Sequence, residues 1–75
     1  MTKTPRDVKP IALLKALQKA GFVVQRQVGS HVRLKHPDGR GTSIAIHPKP
    51  VFHGTLRKIL NQVEMSPEDI RKLLK

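Results

Sequence analysis

A histidine directly after a turn of small residues is the side chain in this sequence with the clearest capacity for acid–base chemistry. After Gly29-Ser30, polar and apolar residues alternate from His31 to Lys35, a pattern that predicts a β-strand. Successive side chains on a strand point to opposite faces, so His31, Arg33 and Lys35 share one face. An imidazole beside two cations indicates proton transfer at an anionic group.

The net charge of the chain indicates what that anionic group is. Fifteen Lys and Arg stand against five Asp and Glu among 75 residues, a formal charge of +10. Between Val8 and Val63, Asp38 is the single carboxylate. Such a balance favours a nucleic acid, through neutralisation of its phosphates, with an acidic protein or a membrane surface as alternatives. No signal-like apolar run and no stretch of transmembrane length are present, which predicts a cytoplasmic location.

Several kinds of active site are disfavoured by what the sequence lacks. The chain has no cysteine and therefore no thiol nucleophile. A triad with Ser30 would require Ser30 and His31 to be adjacent along one strand, and their side chains would then point apart, so acyl transfer is disfavoured. Few carboxylates accompany the histidines, so no metal site and no cofactor are predicted. His36 and His47 are interpreted as solvent-facing residues at strand ends.

The remaining candidates are His31 for catalysis and its neighbours for binding RNA. Arg33 and Lys35 are placed to hold a phosphate and to stabilise charge in the transition state. Ser30 is a candidate RNA contact, and the alternative is that it only shapes the turn. For His31 the alternative is an exposed strand histidine without a function.

Hydrophobic periodicity and turn residues predict the elements that position these side chains. Ile11, Leu14 and Leu17 recur at helical spacing after Pro10 and form the predicted apolar stripe of a helix, and Gly21 has the character of a helix C′ residue. The predicted order is a helix over residues 10–20, strands over 22–28, 31–36 and 42–47, a helix from 54 and a short helix from 67. This order predicts an α+β fold, α-β-β-β-α, with a three-stranded antiparallel sheet, helices on one face and a short C-terminal helix. Residues 1–9 are predicted to be a flexible basic lead-in.

The aromatic content bears on how RNA would be held. Phe22 and Phe52 are the only large aromatic residues, and Phe22 is predicted to be buried where the first helix meets the first strand. Proteins that bind single strands stack bases on several aromatic side chains. We therefore expect this domain to hold the RNA backbone and its 2′-hydroxyls more than the bases.

The chain from Ile11 onward resembles the HicA toxins, and the resemblance is carried by five short motifs in the same order. They are Leu13-Leu14-Lys15-Ala16-Leu17, Ala20-Gly21-Phe22, Gly29-Ser30-His31, His36-Pro37 and Gly54-Thr55-Leu56-Arg57-Lys58-Ile59-Leu60. Each motif alone is weak, and their order and spacing carry the resemblance.

The resemblance implies a double-stranded-RNA-binding-domain-like fold over residues 10–75 and a ribonuclease activity on mRNA. It implies that His31, in the Gly-Ser-His motif, is the catalytic histidine, acting as base or as acid. It also implies a cognate HicB-like antitoxin that holds the toxin inactive. A non-enzymatic RNA-binding module of the same fold is the alternative.

Overall fold

Three helices and three strands follow one another in the computed structural model, which describes residues 5–74. No helix in that part of the chain is long and apolar enough to cross a membrane. The order confirms the predicted α+β class, with a last short helix after the α-β-β-β-α core. The elements are α1 Pro10–Lys19, β1 Val23–Val28, β2 His31–Lys35, β3 Gly41–Ala45, α2 His53–Gln62 and α3 Pro67–Leu74.

The strands form one antiparallel sheet in the order β1-β2-β3, with β2 in the middle. Val32 and Leu34 of β2 and Thr42 and Ile44 of β3 are buried on one face, and α1 and α2 pack there. Thr42 is the polar member of this set, and its hydroxyl donates a 2.7 Å hydrogen bond to Oε1 of Gln62. The other face of the sheet is open to solvent, as an antiparallel sheet allows.

A bulge at Gln25 sets which side chains of β1 point to each face. Arg26 is opposite Arg33, but the next pair is Val24 with Leu34, so Gln25 has no partner in the ladder. The extra residue shifts the alternation of side chains, so that Val24 rather than Gln25 lies opposite Leu34 on the face toward the helices. The residues of β1 are nevertheless all exposed, because the helices pack mainly against β3, at the opposite edge of the sheet.

Helix α1 has the predicted length but not the predicted face. Leu13, Ala16 and Leu17 are buried, whereas Ile11 is 46% exposed and Leu14 is only partly covered. The prediction that Ile11 belongs to the apolar stripe is wrong. The helix is rotated so that Leu13 and Ala16, which are three residues apart, meet the core together with Leu17.

Gly21 ends α1 as predicted, in the left-handed conformation at φ +100°. The amide of Phe22 donates to the carbonyl of Leu17 and that of Gly21 donates to Gln18, both at 3.0 Å, which is the Schellman pattern. A Cβ on Gly21 would lie 2.9 Å from Nε2 of His36. Phe22 is only 2% exposed, so its predicted burial is confirmed.

Helix α2 ends with the same pair of hydrogen bonds, but around a residue that is not glycine. Glu64 has φ +54°, its amide donates to Asn61 at 3.3 Å, and the amide of Met65 donates to Leu60 at 3.0 Å. A side chain in this conformation is strained by about 1–2 kcal/mol. The connection from α2 to α3 therefore passes through Glu64, a residue type that does not favour the left-handed conformation it adopts here.

Helix α3 begins with a reciprocal cap, as the sequence predicts. The amide of Asp69 donates to Oγ of Ser66, and the amide of Ser66 donates to the Asp69 carboxylate, both at 3.1 Å. The hydrogen bond with the backbone of Ser66 has the larger effect and the one with its side chain the smaller, and together they hold the pKa of Asp69 below its ordinary value of 3.8. Pro67 occupies the first helical position, where its missing N–H leaves no hydrogen bond unmade.

The packed part of the chain begins before Pro10. Val8 is buried in the core at 6% exposure, and its carbonyl accepts a 2.7 Å hydrogen bond from the amide of Val51. The division into a flexible lead-in over residues 1–9 and a domain over residues 10–75 stays a prediction, and residues 1–4 lie outside the described part of the chain.

Candidate functional site

The hairpin between β1 and β2 presents His31 at the start of the central strand. Gly29 adopts φ +58°, which suits the first central position of a two-residue hairpin turn. The carbonyl of Ser30 accepts a 2.6 Å hydrogen bond from the amide of Ile46, so the turn is also tied to the end of β3. His31 is opposite Ala45 of β3 and is exposed. The backbone is therefore fixed on both sides while the imidazole is open to a ligand.

Ser30 is exposed within this turn. Its backbone carbonyl has the structural role just described, whereas no hydrogen bond of its hydroxyl is found within residues 5–74. The side chain is thus accessible beside His31, and its role as an RNA contact stays a prediction.

The open face of the sheet carries a group of cations around His31, which we call the cationic face: Arg26, His31, Arg33 and Lys35. The last three share this face, as the alternation along β2 predicts, because Val32 and Leu34 are buried on the other side. Arg26 joins them because it is directly opposite Arg33.

No carboxylate among residues 5–74 pairs with any member of the cationic face. Arg33 donates instead to Oγ of Ser43 on β3 at 3.3 Å. Like charges on directly opposite strand positions repel one another, and a bound phosphate would relieve that repulsion. The face thus has the electrostatics of an anion site, with a titratable imidazole at one end.

Arg26 is not predicted by the alternation along β2, but the sequence of the hairpin carries a signal for its position. Counting back from the two-residue turn pairs Val28 with His31 and Arg26 with Arg33, before the bulge at Gln25 shifts the register. The contact between Ser43 and Arg33 has no such signal in the sequence. The connection between β2 and β3 is longer than a two-residue turn, so the sequence does not fix the register of these two strands.

His36 has a structural environment that differs from the predicted solvent-facing strand end. Its ring meets Phe22 edge-to-face at 5.1 Å between centroids, and only 21% of its side chain is exposed. Nδ1 lies 3.1 Å from the amide of Asp38 and 3.0 Å from its carboxylate. An unprotonated Nδ1 accepts from the amide, whereas a protonated Nδ1 donates to the carboxylate. His36 therefore helps to hold the turn after β2.

Arg40 completes this turn. Its backbone N–H and its side chain both donate to Asp38, at 3.1 and 2.8 Å, and these hydrogen bonds hold the pKa of Asp38 below its ordinary value. Nη1 of Arg40 also donates a 2.7 Å hydrogen bond to the carbonyl of Val63, and the guanidinium lies 5.2 Å from the centre of the Phe22 ring. This cation is committed to joining the turn to α2, so it is not available for a phosphate.

A groove follows the free edge of β3, between that strand and the first turns of α2. It consists of two adjoining clefts of about 390 and 440 Å³, which share Ser43, Thr55 and Ile59. We call it the edge groove. Ala45, the strand partner of His31, and Phe52 both line the first of these clefts. The cationic and titratable residues along it are Arg33, His47, Lys49 and Lys58, and no carboxylate of residues 5–74 lines it.

His47 and His53 are exposed in and after the connection between β3 and α2. Among residues 5–74, no three His, Cys, Asp or Glu side chains come together as a group that could hold a metal ion. Among the described residues, His31 is the one histidine that lies within a strand of the sheet.

Comparison with known proteins agrees with the motif order noted in the sequence. The sequence model of the family described as "HicA toxin of bacterial toxin-antitoxin" matches residues 12–65, a range that includes the hairpin, the sheet and α2. No curated protein matches the chain.

Proposed function

Because this chain belongs to the HicA toxins of bacterial toxin–antitoxin systems, we propose that it acts as an endoribonuclease that cleaves mRNA through His31 without a metal ion. The observation that carries this proposal is the position of His31 on the cationic face. An exposed imidazole lies beside Arg33 and Lys35 on a face without a paired carboxylate among the described residues.

The chemistry requires little beyond this arrangement. His31 would take the proton from the hydroxyl that attacks phosphorus, or give a proton to the oxygen that leaves as the phosphodiester bond breaks. Arg26, Arg33 and Lys35 would hold the phosphate and stabilise the charge that develops on its oxygens. One positioned acid–base group contributes roughly 10²–10⁴-fold, so we expect slow turnover.

The toxin has a cognate antitoxin, as its family implies, and we propose that this is a HicB-like protein that covers the cationic face. An acidic surface would neutralise the arginine pair and hide His31 in the same contact. Antitoxin and RNA would then exclude one another. The contrasting interpretation, an RNA-binding module without activity, requires the same charge but no proton transfer.

Incubation of the purified toxin with a single-stranded oligoribonucleotide in EDTA tests the proposal. We expect the wild-type protein to cleave and His31→Ala to bind RNA with similar affinity while cleavage falls roughly 10²–10⁴-fold. His31→Gln keeps a hydrogen-bonding side chain without a titratable imidazole, so it should also bind without cleaving. Full cleavage by either variant would contradict the catalytic role of His31. Loss of wild-type cleavage in EDTA would contradict metal independence.

A further inference from the structure

The two phenylalanines of the chain have opposite environments. Phe22 is 2% exposed in the core, whereas Phe52 is 84% exposed. Phe52 is also the N-cap residue of α2, where its side chain makes no capping hydrogen bond and where Ser, Thr, Asp or Asn would stabilise the helix. A large apolar ring that neither packs nor caps does little for stability, and such departures from local preference are expected at functional positions.

The ring has a well-defined location along the edge groove. Phe52 lines the same cleft as Ala45 and Lys49, and Ala45 is the strand partner of His31. Residues directly opposite on neighbouring strands have Cβ atoms about 5 Å apart. The cleft therefore extends from the strand partner of the candidate catalytic histidine to the exposed aromatic ring.

Charge indicates what the edge groove accommodates. Arg33 and Lys58 line one cleft and Lys49 the other, and in the described part of the chain no carboxylate lines either cleft. A row of cations that ends at an exposed aromatic ring is the combination with which proteins hold single-stranded nucleic acid, the cations following the backbone and the ring stacking a base.

We propose that Phe52 stacks a nucleobase of the single-stranded RNA that lies in the edge groove, near the phosphodiester presented to His31. The proposal rests on RNA being the substrate. It modifies the expectation drawn from the low aromatic content, because one exposed ring beside the cleavage site is sufficient to make binding depend on a base at one position.

Binding measurements in a His31→Ala background test the proposal without interference from cleavage. The probes are a single-stranded oligoribonucleotide and a matched series in which one nucleotide at a time is abasic. We expect one abasic position to weaken binding by roughly 5- to 100-fold, the range for stacking of one base on an aromatic side chain. Phe52→Tyr should keep this base dependence. Phe52→Leu should lose it while retaining an apolar side chain.

Phe52→Ser serves as the control for folding, because serine is a favourable N-cap residue and the replaced ring is exposed. It should melt at or above the temperature of the parent protein and still lose the base dependence. If Phe52→Leu and Phe52→Ser bind the complete and abasic strands as the parent does, the stacking proposal is wrong. The stacking proposal is also wrong if the same variants weaken only the complex with the antitoxin, because Phe52 would then be a protein contact.

The stacking proposal and the proposed nuclease activity fail in different ways. A wild-type protein that does not cleave RNA, but whose base dependence requires Phe52, would contradict the nuclease and support the stacking site. A wild-type protein that cleaves, alongside a Phe52→Leu variant with unchanged binding and cleavage, would contradict the stacking site alone.

Discussion

Arg26 of β1 and Arg33 of β2 are directly opposite each other, with both side chains on the open face of the sheet. No acidic side chain within residues 5–74 compensates them, and Arg33 donates only to Ser43. Directly opposed like charges destabilise a sheet by roughly 0.2–1 kcal/mol. We propose that this pair, which opposes folding, serves the bound state, in which a phosphate would lie between the two guanidinium groups.

We predict that Arg26→Gln has opposite effects on stability and on RNA binding. The free energy of unfolding should rise by a few tenths of a kcal/mol, because the repulsion is removed. RNA affinity should fall, and the slope of log affinity against log salt should decrease in magnitude by about 0.7, the value for one phosphate contact on a single strand. Urea unfolding and binding titrations over a series of salt concentrations measure both effects.

Lys15→Gln is the matched control for this prediction, since Lys15 is exposed on α1, in the helical layer behind the sheet. It removes the same charge from the molecule but none from the cationic face. If both variants change the salt slope equally, the RNA contact is not localised on the cationic face.

The elements of this fold were predictable because each has a local signal. The alternation along β2 predicts that Val32 and Leu34 are buried, and Gly21 ends its helix where the sequence indicates. The rotation of α1 was not predictable from spacing alone, because Ile11 and Leu13 are both apolar and only the position of the sheet decides which is buried.

The candidate site was predictable only in part, for a similar reason. The three residues of β2 share a face by strand geometry, so the sequence sufficed for them. The opposition of Arg26 and Arg33 depends on a register that changes at a bulge, and the exposure of Phe52 depends on how the connection after β3 reaches α2. Both are tertiary features with weak local signals.

Glu64 and Gly21 occupy equivalent positions after two helices, and we predict opposite responses to substitution. Glu64→Gly relieves the strain of a side chain at φ +54° and should stabilise the protein by about 0.5–1 kcal/mol, after the greater freedom of glycine in the unfolded chain is counted. Gly21→Ala introduces that strain and a contact with His36, and should destabilise by about 1–3 kcal/mol. Melting temperatures should shift by about 4–8 °C per kcal/mol. A stabilised Gly21→Ala would show that the conformation at Gly21 is not the one described.

The cap of α3 predicts a loss of stability in acid. Hydrogen bonds with Ser66 hold the pKa of Asp69 below 3.8, its ordinary value. A depressed folded-state pKa contributes stability that is present above the unfolded value and is lost as the pH falls through the folded value. We therefore expect wild-type stability to fall as the pH is lowered through and below 3.8. Asp69→Asn should fall less over that range, as followed by urea unfolding at each pH.

Glu68→Gln is the matched control for the acid prediction. It removes a carboxylate from the same helical turn but leaves the hydrogen bonds between Ser66 and Asp69 in place. Its stability should change with pH as that of the wild type does, whereas Ser66→Ala should cost about 1 kcal/mol at neutral pH. An Asp69→Asn variant with the wild-type pH dependence would show that the cap is not linked to protonation.

Finally, a shared cationic face predicts that antitoxin and RNA compete. Both partners would approach His31 through Arg26, Arg33 and Lys35, so a labelled oligoribonucleotide bound to His31→Ala should be displaced as a HicB-like antitoxin is added. Charge–charge attraction at an exposed face is screened over about 8 Å at 0.15 M salt and about 3 Å at 1 M, so the antitoxin complex should weaken as salt rises. Arg26→Gln should weaken it further and Lys15→Gln should not. A stable ternary complex of toxin, antitoxin and RNA would contradict a common binding face, because the cationic face would then be free for RNA while the antitoxin is bound elsewhere.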